Sequence, residues 1–260
     1  MGTLYLVRHG QASFGADNYD QLSPLGWQQS RRLGQYFLEH GHRFDAVITG
    51  TLQRHDETWQ GIREGMGIDL PTTRQPGLNE YDSEAVIRTV HPQPLKKPDS
   101  PELYRHHFRL LRDGLRQWME GAVTPEGMPS YTDFRAGVVA ALDWVRTQHT
   151  GNVLLVSSGG PISTAVGHIL GTAPETTIEL NFHIRNSAVS EFKYNPKGHR
   201  LVSYHTLNHL DGPNYPGWTT FTCGLATANG QPRATAWRVA SRPTPPKHDL
   251  WQPLQRLHCP

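Results

Sequence analysis

Three short clusters in this 260-residue chain hold residue types able to manage a small dianion. They are Arg8-His9-Gly10, the segment Thr51 to Arg54, and Ser157-Ser158-Gly159-Gly160. Guanidinium forks match phosphate oxygens in bidentate pairs. A neutral imidazole offers a nitrogen nucleophile near neutral pH. Backbone amides at a helix start attract anions. Two arginines and a histidine brought to one edge would therefore suit a phosphate group.

The elements that must bring them there are legible. Leu4 to Val7, Phe44 to Ile48 and Val153 to Val156 are short apolar runs, each closed by one of these clusters or by the Thr49-Gly50 that precedes one. Such runs, separated by helical stretches, indicate strands of a buried parallel sheet. Ligands bind outside the carboxyl ends of strands in such sheets. Ser23-Pro24 predicts a capped helix to about Glu39. Thr51 predicts the cap of a second helix through Arg63. Phe134, Val138, Leu142 and Val145 share a helical face, as do Leu103, Leu111, Leu115 and Trp118 within the long excursion 80–130. Pro161 predicts a helix start running to Leu170. Ala188 to Tyr194 and Leu201 to Tyr204 read as strands around a turn at Asn195-Pro196-Lys197-Gly198. The expected fold is a three-layer αβα sandwich with a mostly parallel central sheet.

These residues also carry a family resemblance. Leu6-Val7-Arg8-His9-Gly10-Gln11, followed by Leu22-Ser23-Pro24-Leu25-Gly26, resembles the opening of the histidine phosphatase superfamily, the phosphoglycerate mutase-like proteins. Thr49 to Arg54 resembles its second phosphate-binding segment, and Leu78-Asn79-Glu80 the segment of its proton donor. Val153 to Gly160 and Asn186 to Val189 resemble its last catalytic strand and the strand after it. The likeness runs in order over about residues 3–210 and implies the same fold. It implies that His9 attacks phosphorus and forms a phosphohistidine. It implies that Arg8 and Arg54 hold the phosphoryl oxygens while Glu80 protonates the leaving oxygen and later activates water. Asp82 is the alternative acid, and Gln11 and Ser13 are further pocket candidates. No cofactor or metal is implied.

One departure stands out. The family pattern Ser-His-Gly is here Ser157-Ser158-Gly159, with Ser158 at the place of a second histidine. A serine hydroxyl still donates, but without charge, and charged hydrogen bonds are worth about 1.5–3 kcal/mol against about 0.5–1.5 for neutral ones. The expectation is weakened catalysis, with Ser158 and the Gly159 amide as phosphate ligands. His55, His91 and His183 are candidates to swing in. Phosphoglycerate mutases continue after Glu80 with a glycine-rich segment that this chain lacks, which favours a phosphatase of small phosphorylated metabolites. The alternatives are a member that binds phosphorylated ligands without turnover and a mutase-type phosphotransferase.

Composition bounds the rest. A net charge of +2 gives no reason to expect nucleic acid. A mean hydropathy of −0.57 without a long apolar run gives none to expect a membrane span. Met1 to Gly10 lacks the charged start and apolar stretch of a secretory signal, and two cysteines make no disulfide framework, so the cytoplasm is the default. The histidine pairs His40/His42, His106/His107 and His205/His209 fit no metal-ligand spacing. Oligomeric state is not readable. Lys96, Lys97, Arg105, Arg109 and Arg112 in the excursion form a solvated face that could steer anions. Residues 1–210 read as the catalytic domain. Residues 211–260, with eight prolines, three tryptophans and a net +3, read as an irregular peripheral tail.

Overall fold

The protein is described here from a computed structural model, which covers residues 1–13, 18, 20–96 and 100–221. Lys97, Trp237, Trp251 and both cysteines lie outside the described residues. Six strands form one sheet: β1 (Gly2–Arg8), β2 (Ala46–Thr49), β3 (Thr72–Arg74), β4 (Asn152–Ser157), β5 (Val189–Asn195) and β6 (Gly198–Thr206). Their order is β3-β2-β4-β1-β5-β6. The first four are mutually parallel, while β5 runs antiparallel to β1 and forms a hairpin with β6. Register places Arg8 opposite Ser157 and Thr49 opposite Val156. The ends of β1, β2 and β4 therefore open on one edge, as the parallel reading requires.

Both faces of the sheet are covered, which explains why its central strands are apolar throughout. Leu4, Leu6, Ile48, Val153 and Leu155 pack with α5 (Tyr131–Gln148) and α6 (Gly159–Leu170). Tyr5, Val7, Val47, Leu154 and Val156 pack with α1 (Pro24–Glu39) and α2 (Gln53–Met66) on the opposite face. Each fully buried aliphatic side chain here contributes about 1.5–3 kcal/mol. This is the expected three-layer sandwich. A smaller cluster of Val86, Leu115, Trp118 and Ile178 joins α3 (Ser83–Arg88), α4 (Pro101–Met119) and α7 (Pro174–His183). Trp118 is buried at its centre, and its indole N–H donates to the Pro129 carbonyl at 3.1 Å.

Two helix starts differ from the sequence expectation. The Ser23 hydroxyl caps α1 as expected, accepting from the Gly26 amide. Thr51 does not cap α2; its hydroxyl accepts from Asn79 instead. The Asp20 carboxylate, 33 residues upstream, accepts the Gln53 amide at 2.9 Å. A carboxylate there also complements the helix dipole, which a hydroxyl does not. Helix α6 begins at Gly159 rather than Pro161, with Ser158 in the N-cap position. The first-turn amides of α6 thus belong to the pocket edge.

Among the described residues, no helix is long and apolar enough to cross a membrane. The Arg105 and Arg112 side chains of α4 are ion-paired with Glu102 and Glu179. After β6 the chain turns back over the body. Gln29 Nε2 donates to the Trp218 carbonyl at 2.6 Å and to the Thr220 hydroxyl at 3.0 Å. The Asn186 amide donates to the Thr220 carbonyl at 3.0 Å.

Candidate active site

His9 lies one residue beyond β1, with its backbone held from both sides. Its amide donates to the Ser157 carbonyl at 2.9 Å, and its carbonyl accepts from the Ser187 amide at 3.2 Å. Asn186 Nδ2 adds bonds to the carbonyls of His9 and Gly10. The ring is fixed too: Nδ1 sits 2.7 Å from the Gly10 carbonyl oxygen. A carbonyl only accepts, so Nδ1 carries the proton and Nε2 keeps its lone pair. Burial, then the charges of Arg54 and Arg8 and the nearby His55, hold the imidazole well below its ordinary pKa. His9 is therefore neutral and only 2% exposed.

Gly10 makes this geometry possible. A Cβ there would lie 2.5 Å from the Gly26 carbonyl, so only glycine lets the start of α1 press against the loop. The Gly10 amide donates to the Thr58 hydroxyl, which donates to the Arg54 carbonyl, tying the loop to α2.

Arg8 is fully buried and donates to the Ile184 carbonyl. Gly159 opens α6 between Arg8 and Asn181; a Cβ on it would lie 3.8 Å from the Arg8 guanidinium carbon. Arg54 stands in the first turn of α2, mostly buried, with Nη1 2.6 Å from an Asp20 carboxylate oxygen. Asp20 thus both caps α2 and holds its arginine.

Glu80 follows a 3-10 turn at Pro76–Leu78. Its two carboxyl oxygens accept from the Gly160 amide at 3.1 and 3.3 Å, and Oε1 also accepts from the Tyr81 amide. Burial raises its pKa; Arg54, the Gly160 amide and Arg8 oppose that but do not cancel it. Asp82, the alternative acid, is used otherwise: its carboxyl caps α3 through the amides of Glu84 and Ala85. The Gln11 side chain accepts from the Ser23 hydroxyl at 2.8 Å. The Ser13 amide donates to the Gln21 carbonyl.

Ser158 directly follows β4 and is completely buried. Its hydroxyl lies 2.8 Å from His55 Nε2, and the His55 ring centroid is 5.8 Å from that of His9. Of the three candidate histidines, only His55 is in this cluster. His91 packs edge-on against His106, and His183 is exposed, with Nδ1 2.8 Å from the Glu179 backbone carbonyl. Among the described residues, no group of three His, Cys, Asp or Glu could hold a metal ion.

The edge therefore gathers a neutral imidazole with a free lone pair, two guanidinium groups, a carboxyl inclined to keep its proton, and a hydroxyl. Such a set can deliver a nucleophile to phosphorus, neutralise phosphoryl charge and supply a proton. Asp20 and Thr58 carried no sequence signal, because their partners lie 34 and 48 residues away. Asn186 is different, since it stands in a stretch whose resemblance is visible.

Comparison with known proteins finds chains of similar sequence and fold. The chain is 25% identical over 226 residues to "Putative phosphoserine phosphatase 2" of Hydrogenobacter thermophilus, covering 80% of this chain and 98% of that protein. Its fold is similar to a phosphoserine phosphatase mutant from Entamoeba histolytica in complex with phosphoserine. That match has a TM-score of 0.57 at 18% identity and covers 81% of this chain and 100% of that one. A phosphoglycerate mutase from Bacillus anthracis gives a TM-score of 0.57 at 17% identity, over 80% of this chain and 94% of that one. The sequence profile of the histidine phosphatase superfamily (branch 1) matches residues 4–206, and the chain belongs to that superfamily.

Proposed function

We propose that the protein is a metal-independent phosphomonoester hydrolase acting on a small phosphorylated metabolite through a phosphohistidine at His9. The observation that carries this is the His9 ring: Nδ1 is committed to the Gly10 carbonyl, the imidazole is neutral, and Nε2 is left as nucleophile beside Arg8 and Arg54. In the first step Nε2 forms a bond to phosphorus, the ester P–O bond breaks, and Glu80 gives its proton to the leaving alkoxide oxygen. In the second, the Glu80 carboxylate takes a proton from water, the resulting hydroxide attacks phosphorus, and the P–N bond breaks. Phosphate leaves and His9 is neutral again. Phosphoryl transfer depends on placement and charge neutralisation, and guanidinium groups can supply both. Arg8, Arg54, the Ser158 hydroxyl and the Gly159 amide are the proposed oxygen ligands.

The test is turnover of p-nitrophenyl phosphate and of an alkyl phosphomonoester by wild type and by His9→Ala. Wild-type turnover that His9→Ala lacks is expected, together with an acid-labile phosphoprotein after rapid quench. Equal rates would overturn the proposal. Binding without turnover in wild type would favour the ligand-binding alternative. Conversion of 3-phosphoglycerate to its 2-isomer would favour a mutase.

A further inference from the structure

The Ser158 side chain departs from what its position suggests. A serine in the N-cap position ordinarily accepts a hydrogen bond from an amide of its own helix. Ser158 has extended backbone angles of −114° and 172° suited to that role, yet its hydroxyl makes no capping bond. The Gly160 amide goes to Glu80 instead. The hydroxyl is paired across 103 residues with His55 Nε2, inside a buried cluster that also holds His9 and Arg54.

The hydrogen on this pair can be assigned. His55 is fully buried, and its Nδ1 has no hydrogen-bond partner among the described residues. It sits against Gly50, where a Cβ would come within 2.3 Å of that nitrogen. Buried N–H groups without acceptors are rare and costly. The neutral ring therefore carries its proton on Nε2, the nitrogen that has a partner. Nε2–H donates to Ser158 Oγ, and the hydroxyl hydrogen of Ser158 remains available for a further acceptor.

We propose that His55 is a positioning residue that works through Ser158, fixing the hydroxyl so that its hydrogen is directed at a phosphoryl oxygen held over His9. The imidazole thus reaches the pocket from the first turn of α2, beside Arg54, rather than from the end of β4. It orients a neutral donor instead of donating directly. This inference rests on the phosphatase reading above. The pair acts as a unit: breaking it from either side removes the same preorganised donor, and such donors act mainly in the transition state.

The experiment is a double-mutant cycle of His55→Ala and Ser158→Ala in the full chain, with His55→Gln as the conservative variant, each read as kcat and KM on p-nitrophenyl phosphate. Each alanine variant is expected to lower kcat about 10- to 100-fold, with KM changing less, as for loss of an oriented oxyanion donor. The double variant is expected to fall no further than the worse single one. His55→Gln, whose amide N–H can reach the Nε2 position, is expected to restore much of the kcat lost in His55→Ala. Multiplicative losses, an effect confined to KM, or His55→Gln no better than His55→Ala would overturn the proposal. If the alanine variants fail to fold, the comparison of His55→Gln with wild type decides it: a fully folded glutamine variant with kcat reduced more than about 100-fold refutes the positioning role. Wild-type turnover no faster than His9→Ala would instead mark failure of the phosphatase reading itself.

Discussion

Gly160→Ala attacks the proposed proton donor, Glu80, without replacing it. A Cβ on residue 160 would lie 2.2 Å from Glu80 Oε1 and 2.6 Å from the Tyr81 ring. Restoring an ordinary contact of about 3.4 Å requires the carboxyl to retreat by roughly 1 Å. That retreat breaks the Gly160 amide hydrogen bond shared by the two Glu80 oxygens, worth about 1.5–3 kcal/mol when the carboxyl is ionised. Alanine in the first turn of α6 returns about 0.5–1 kcal/mol through helix propensity. The net loss of about 1–2 kcal/mol leaves the fold intact, with the thermal midpoint lowered by several degrees. A donor misplaced by about 1 Å costs about 10²-fold in rate, and a positioned acid contributes about 10²–10⁴-fold. Gly160→Ala is therefore expected to lower turnover of an alkyl phosphomonoester about 100-fold, approaching Glu80→Gln. The double variant should fall no further than Glu80→Gln alone. The loss should be much smaller on p-nitrophenyl phosphate, whose aryl oxide leaves as an anion with little need of a proton. If Gly160→Ala keeps alkyl phosphomonoester turnover within about threefold of wild type, Glu80 is not the acid held by this amide.

Three other outcomes can be checked directly. The depressed His9 keeps its nucleophilic form into acid, and the raised Glu80 keeps its proton above the usual carboxylate range. Accordingly, kcat/KM on an alkyl phosphomonoester should peak in mild acid and fall as pH rises, and Glu80→Gln should abolish the alkaline fall. His209 is buried against Ser187, with its pKa lowered to about 3 from 6.5, so the folded state holds it neutral while the unfolded chain protonates it. Its effect on stability is absent above about pH 6.5 and grows as a loss down to about pH 3. By pH ~5 that loss is about 2 kcal/mol, and urea midpoints should show a smaller acid loss in His209→Gln. Finally, ending the chain after Leu210 strips Gln29 and Asn186 of their Trp218 and Thr220 partners, costing about 2–6 kcal/mol. Ending it after Phe221 keeps them, so the 221-residue form should have a higher thermal midpoint than the 210-residue form.

Much of this arrangement was readable from residue order. The strand runs, the capped start of α1 and the three clusters at the sheet edge follow from local patterns. Hydrophobic periodicity and turn chemistry act over a few residues, so they are written locally. What escaped was written across space. Helices α3 and α7 and strand β3 are short and contribute few apolar residues, so their periodicity is weak. Asp20 replaced Thr51 as the cap of α2 because a charge arriving from a distant loop outcompetes a nearby hydroxyl. His55 was one of three equal candidates in the sequence; only folding sets it against Ser158.

Strand β1 has both its neighbours late in the chain, at Asn152–Ser157 and Val189–Asn195. At a synthesis rate of about 5–20 residues per second, the apolar segment that ends in Arg8 waits on the order of ten seconds or more for either partner. Helices α1 and α2 can form and pack on each other in that interval, but the strand leading to His9 cannot be paired. The reactive edge is therefore among the last parts of the protein to exist, assembled only when the second half of the chain has left the ribosome. A nascent fragment ending before β4 should have no phosphatase chemistry, however well its helices form.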